Sequence, residues 1–384
     1  HLWYGEFRVT VALNFCYRLL RLKPEFPALS CLGTEVLLLL EGLTLEPLVH
    51  IFEGGFIKTR EWSLGKSITV NERWPIEREE EDPRRLSFSK LQTQTQDSTV
   101  YSWTARIWYL YLENNLIETI PEKPFENATQ LRWINLNKNK ITNYGIEKGA
   151  LSQLKKLLFL FLEDNELEEV PSPLPRSLEQ LQLARNKVSR IPQGTFSNLE
   201  NLTLLDLQHN KLLDNAFQRD TFKGLKNLMQ LNMAKNALRN MPPRLPANTM
   251  QLFLDNNSIE GIPENYFNVI PKVAFLRLNH NKLSDAGLPS SGFDVSSILD
   301  LQLSHNQLTK VPRISAHLQH LHLDHNKIKN VNVSVICPTI LPGEQDSFGY
   351  GPHLRYLRLD GNEIKPPIPM DLMTCFRLLQ AVII

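Results

Sequence analysis

Three histidines fall within the eleven residues LQHLHLDHNKI, at His320, His322 and His325, and His317 stands just before them. Histidines two to five residues apart are the usual raw material of zinc sites, so coordination chemistry is the first reading to test. Catalysis has less to work with. The chain has no G-x-S-x-G elbow, no H-E-x-x-H signature, no phosphate-binding loop of the G-x-x-x-x-G-K-[ST] type, and no cysteine set among polar partners as a nucleophile. Neither an enzyme nor a cofactor is expected. What the histidines do depends on the elements that carry them.

Those elements repeat. The pattern L-x-x-L-x-L-x-x-N-x-L occurs eleven times, from IWYLYLENNLI through LEQLQLARNKV to LRYLRLDGNEI, and LQHLHLDHNKI is its tenth copy. Its asparagines are Asn115, Asn139, Asn165, Asn186, Asn210, Asn236, Asn257, Asn281, Asn306, Asn326 and Asn362. The L-x-L alternation makes a short strand with its leucines on one face, and no single unit can bury that face alone, so the units stack. Each asparagine turns inward at the strand exit, where its amide can pair with backbone groups that would otherwise be buried and orphaned.

The spacings between these asparagines are 24, 26, 21, 24, 26, 21, 24, 25, 20 and 36, a long-long-short triplet that ends in one stretched unit. Long units such as IPQGTFSNLENL carry an aromatic to plug the convex side, while short ones such as VPSPLPRSLEQL are proline-rich and favour an extended return. The fold expected is a leucine-rich-repeat solenoid. A parallel β-sheet lines its concave face, short 3-10, polyproline or helical segments line the convex face, and an ear repeat lies near the C-terminus.

In this frame the histidines become rung positions. His320 and His322 are strand residues pointing away from the leucines, and His325 fills the slot before the asparagine, as His209, His280 and His305 do in other copies. Rungs stack about 5 Å apart, so His280, His305 and His325 form a column able to collect a metal ion. No carboxylate or cysteine set visible in the sequence closes a zinc shell, so a solvated face is the reading preferred and no metal site is expected.

The concave face has varied chemistry. Its first rungs present Tyr109, Tyr111, Trp133, Phe159 and Phe161, the middle ones Gln180, Gln182, Asp206, Gln230, Asn232 and Asp255, and the later ones Arg277, Asp300, His322, Asp324 and Arg358. Such a curved surface suits an elongated protein partner better than a small molecule, and open aromatic area of this kind usually has a partner or a cover.

The totals exclude other classes. Of 384 residues 42% are hydrophobic and 22% charged, with 42 Lys+Arg against 41 Asp+Glu and a net charge of +1, which gives no electrostatic case for nucleic acid or an anionic membrane. The most apolar run, EVLLLLEGLTLEPLVHIF, is broken by Glu41, Glu46 and Pro47, so no membrane insertion is expected. The chain begins at His1, and a signal peptide is neither seen nor excluded.

The triplet order, the stretched penultimate repeat and the late cysteine pair resemble the small leucine-rich proteoglycans of extracellular matrix over residues 106–384. The run RLDGNEIKPPIPMDLMTCFRLLQAVII and the sequons place the resemblance nearest the keratan-sulfate class. It implies a secreted matrix proteoglycan that binds fibrillar collagen and regulates fibril diameter and spacing, as in corneal stroma. Other matrix proteins or growth factors, and a second copy of the chain, are further partners. The competing reading is a soluble recognition ectodomain for a protein signalling ligand; a receptor would carry a spanning helix beyond the last repeat.

The resemblance also implies residue roles. In a matrix protein Cys337 and Cys375 read as one disulfide clipping the ear repeat to the solenoid end. The sequons at Asn127, Asn201, Asn256 and Asn332 become sites for N-linked keratan sulfate, though each alone is a weak signal. Collagen contacts are implied at Asp255, with Arg277 on the next rung, and at Glu363 and Lys365. Residues 106–336 hold repeats one to ten, and 337–384 the ear repeat and cap. Residues 1–105 depart from the family: they hold only Cys16 and Cys31, no repeat, and four tryptophans, Trp3, Trp62, Trp74 and Trp103. They are read as a non-native or disordered leader, with an unfamiliar N-terminal domain as the alternative.

Overall fold

Residues 76–77, 85–88, 107–337, 352–365 and 369–384 are described by a computed structural model, all within the compact unit Leu64–Ile384. They form one 14-stranded sheet whose strand order is the chain order. The first two strands, Ile76–Glu77 and Arg85–Phe88, pair antiparallel, and every later pairing is parallel. Each rung from Tyr109–Tyr111 to Ala381–Ile383 is three residues long, too short to stand alone. The register never slips: Leu110 faces Ile134, then Leu160, Leu181 and Leu205, and the column continues to Leu357 and Val382. A one-residue slip would turn every leucine out of the core, which is why the alternation determines the pairing.

The core is a single column of leucines behind the sheet. Leu110, Ile134, Leu160, Leu181, Leu205, Leu231 and Leu252 are all fully buried, as is the second set at Leu162, Leu183 and Leu207. On the convex side Phe125, Phe196 and Phe267 plug the long units and are buried. Phe196 stacks on Phe222 of the following repeat with ring centroids 6.3 Å apart. Among the described residues the convex returns carry short 3-10 turns, including Lys123–Phe125, Asp214–Ala216, Tyr266–Val269 and Asp285–Gly287.

The asparagines tie rung to rung. Asn210 donates from Nδ2 to the carbonyls of Leu183 (2.9 Å), Leu207 (3.1 Å) and Gln208 (3.2 Å), and its Oδ1 accepts the Val188 N–H at 2.9 Å. The same set recurs at Asn139, Asn165, Asn186, Asn281, Asn306 and Asn326. Just before each, the chain takes a left-handed residue: Lys138, Arg185, His209, Lys235, His280, His305 and His325 all have φ near +54°. That turn drives the asparagine inward and its neighbour outward, and it aligns the outward side chains of successive rungs.

The sheet starts upstream of the first repeat, because Leu86 pairs with Leu110. Part of the segment read as a leader is therefore a strand of the solenoid sheet. The remainder, with Cys16, Cys31 and its four tryptophans, lies outside the described residues, as does most of the ear insertion. Two short helices, Val333–Ile336 and Asp371–Cys375, bracket the C-terminal cap and bring Cys337 to Cys375, whose sulfurs are bonded with Cα atoms 6.0 Å apart.

Candidate functional site

The concave face and its rim carry the polar chemistry. The aromatic rungs do not stand open as the sequence suggested: Tyr109, Trp133, Phe159 and Phe161 are all buried. The Trp133 ring lies 5.0 Å from Phe159 and 4.6 Å from Phe161, since the same strand positions on adjacent rungs stack directly.

The middle rungs hold a crowded group of acids. Asp206 accepts the Gln208 N–H at 2.8 Å and an Asn232 amide at 3.3 Å. Burial in the curve of the sheet pushes its carboxyl up to about 6, with the nearby Glu163 charge adding and the Gln208 N–H opposing. Burial also raises Glu163, against its ion pair with Arg185 at 2.7 Å. A carboxyl whose folded value lies above its unfolded one stabilises the protein below the ordinary carboxylate range and loses that contribution as pH rises through about 6. Asp206→Asn should therefore raise stability at pH 7 by about 2 kcal/mol, somewhat under the full shift because part of the side chain meets solvent. Denaturant midpoints of the two proteins should converge near pH 4 and separate by pH 7; parallel pH profiles would refute this.

Of the proposed collagen contacts, Asp255 is buried. It pairs with Arg277 at 3.0 Å and accepts the Asn279 N–H at 2.9 Å, while the Arg277 guanidinium lies over the Phe253 ring at 5.3 Å. Glu363 and Lys365, four rungs further on, are exposed, and Glu363 faces Lys329 at 3.7 Å. All four sequon asparagines are exposed. Asn256 takes the left-handed slot at φ +55°, Asn332 accepts a hydrogen bond from Ser334 at 2.7 Å, and Asn127 and Asn201 lie on convex returns.

The histidine column is ordered. His280 stacks on His305 with centroids 4.0 Å apart, and His305 on His325 at 4.2 Å, the planes within 13° and 12°. Burial lowers the His305 pKa, and the neighbouring His280 and His325 lower it further. Asp324 adds a carboxylate beside these rings. Its Oδ2 lies 3.2 Å from His325 Nδ1, and ligand atoms of His305, Asp324 and His325 all fall within 4.8 Å of one another. A signal was present in the sequence, an aspartate directly before a slot histidine with another slot histidine one repeat earlier, but it needed the left-handed turn to be read. His320 and His322 take no part: His320 faces Asp300 at 3.7 Å, and His322 lies against Tyr356 with centroids 5.1 Å apart.

Comparison with known proteins supplies the lineage. A family model described as "Leucine rich repeat" matches residues 106–167 and 176–238, and a second, "Leucine Rich repeat", matches 315–337. The chain is 96% identical over 283 residues to "Keratocan" of Bos taurus and 95% over 282 to that of Homo sapiens, each covering 73% of this chain and 80% of the relative. It is 56% identical over 282 residues to "Prolargin" of Mus musculus, covering 73% of this chain and 74% of that one. Among solved structures, the complex titled "Octameric complex of Latrophilin 3 (Lec, Olf), Unc5D (Ig, Ig2, TSP1) and FLRT2 (LRR)" aligns with TM-score 0.59 at 22% identity, over 70% of this chain and 77% of that one. That likeness concerns the fold alone.

Proposed function

The chain belongs to the keratocan family of extracellular-matrix small leucine-rich proteoglycans, and from that premise we propose that it binds fibrillar collagen and regulates fibril diameter and spacing. It is a structural matrix protein and not an enzyme. Among the described residues no helix is long and apolar enough to cross a membrane. In the proposed role the chain is secreted, carries keratan sulfate on Asn127, Asn201, Asn256 and Asn332, and works between fibrils as in a transparent corneal stroma.

The supporting observation is a run of charged concave side chains already held in place. Asp255 is set by Arg277 and the Asn279 N–H, and Arg358 is held by Asp360 at 2.7 Å. A collagen triple helix is a rigid rod bearing charged side chains, and a sheet with its charges pre-positioned meets it without ordering cost. The exposed Glu363 and Lys365 add a second contact four rungs away.

Co-sedimentation with collagen fibrils at two salt concentrations tests this. Asp255→Asn alone should weaken binding by about 1 kcal/mol at most, because its charge is partly spent on Arg277, and Glu363→Gln should add independently at that separation. Repeating the assay after enzymatic removal of N-linked chains separates the sheet's share from the glycans'. If the double variant Asp255→Asn, Glu363→Gln sediments as wild type with unchanged circular dichroism, the charged concave surface is not the collagen site.

A further inference from the structure

The geometry points to a binding site for a first-row divalent transition ion, of the Zn2+ or Cu2+ class, on the rim of the sheet, made by His305, His325 and Asp324. Four features build it. First, the repeated left-handed turn, φ +57° at His305 and +52° at His325, sends both side chains off the rim in parallel, so their rings lie 4.2 Å apart. Second, the Asp324 carboxylate is buried and aimed at the pair, with Oδ2 3.2 Å from His325 Nδ1. Third, its other oxygen is anchored by the Ser304 hydroxyl, which donates to Oδ1, leaving Oδ2 for a ligand on the histidine side.

Fourth, the next rung makes room. Its slot is Gly361 at φ +69°, and a Cβ there would lie 2.9 Å from the His325 ring. A side chain in that slot would crowd the His325 ring.

The ligand atoms are close to a coordinating arrangement. Two donors on a tetrahedral zinc ion lie roughly 3.3 Å apart, with each bond near 2.0–2.1 Å. The Asp324–His325 pair already has that spacing, at 3.2 Å, and His305 lies within the 4.8 Å that spans all three groups. Parallel imidazoles do not converge on one ion, so His305 must rotate about its side-chain bonds, which its position on the rim allows. His280, stacked on the far side of His305 at 4.0 Å, or a water fills the fourth position. Two imidazoles and one carboxylate favour zinc, copper or nickel over calcium or magnesium, which take oxygen ligands. Arg358 lies 3.7 Å from Asp324 Oδ1, but its own charge is met by Asp360 at 2.7 Å.

The test is calorimetric titration of the full secreted protein with ZnCl2 and, in parallel, CaCl2. One equivalent of Zn2+ should bind with micromolar affinity, and Ca2+ should give no heat. His305→Gln should weaken Zn2+ binding by about thirtyfold. That slot carries Arg185 and Lys235 in other repeats, so a long polar side chain fits the turn and the fold is retained. Asp324→Asn should weaken it similarly. The double variant His317→Gln, His353→Gln removes a second pair of rings, 6.0 Å apart, and should leave the affinity within threefold of wild type. Zn2+ binding that survives His305→Gln, or that is lost only with His317 and His353, overturns the site, as does an equal response to Ca2+ or no binding at all.

Discussion

Asn210→Ala is expected to destabilise the middle of the solenoid by on the order of 4 kcal/mol, the largest effect of any single substitution considered. The Asn210 side chain satisfies the Leu183 and Leu207 carbonyls and the Val188 N–H, all within the core behind the sheet. Truncation leaves the Val188 N–H buried without its acceptor, at about 1–3 kcal/mol, and takes one hydrogen bond worth about 1 kcal/mol from each carbonyl, since Leu183 still accepts from Asn186 and Leu207 from Asn236. The loss couples neighbours, because Val188 and Leu183 belong to the preceding rung and Leu207 to Asn210's own. A repeat protein is stable only through such interfaces, so the unfolding transition should broaden or split at this point. Lys211→Ala, one residue on and exposed, serves as control and should stay within about 0.5 kcal/mol. Equilibrium denaturation together with hydrogen exchange at the 183–210 rungs checks it. An Asn210→Ala midpoint equal to that of the Lys211 control would show that the ladder contributes nothing.

Opening the Cys337–Cys375 bond should free the C-terminal cap while the rest of the sheet holds. The bond closes a loop with a sequence separation of 38, and on the loop-entropy model its removal costs about 4 kcal/mol. The cap's two helices, Val333–Ile336 and Asp371–Cys375, amount to one turn each, and Met370 and Met373 are exposed. Leu372 and Phe376 do reach the core, and the Ala381–Ile383 strand pairs with Tyr356–Arg358. In the double variant Cys337→Ser, Cys375→Ser, amide exchange should accelerate from Leu357 to Ile384, while the rungs up to Asn306 keep their protection. Uniform protection across both regions would mean that packing alone docks the cap. Because Glu363 and Lys365 ride on this segment, collagen binding by the variant should fall with the cap.

Much of this molecule is legible in a one-dimensional pattern. Three-residue strands, their parallel register and the inward leucines all follow from L-x-L alternation repeated at fixed spacing, because each unit's buried face is determined locally and its neighbour is the next unit in the chain. The same logic identifies the asparagines: a polar side chain at an invariant buried register must satisfy backbone groups there. The convex phenylalanines, Phe125, Phe196 and Phe267, are readable for the same reason. The strand Arg85–Phe88 was not, since its sequence RLSF has neither the repeat's spacing nor its asparagine, and only its pairing with Leu110 reveals it.

Contacts between rungs were decided by the tertiary structure. Residues 20 to 26 apart become neighbours, and which of them lean together depends on side-chain direction at a left-handed turn and on charge, neither of which a motif encodes. Asp255 reads as an acid with Arg277 on the next rung, open to collagen or to that arginine, and the fold pairs the two at 3.0 Å. The aromatics of the first rungs read as open surface, yet Trp133, Phe159 and Phe161 are buried against one another. The histidine column was visible as a spacing. Its link to Asp324 was not, because that contact exists only when the αL turn stacks the rings and Gly361 leaves space for His325 to reach the carboxylate.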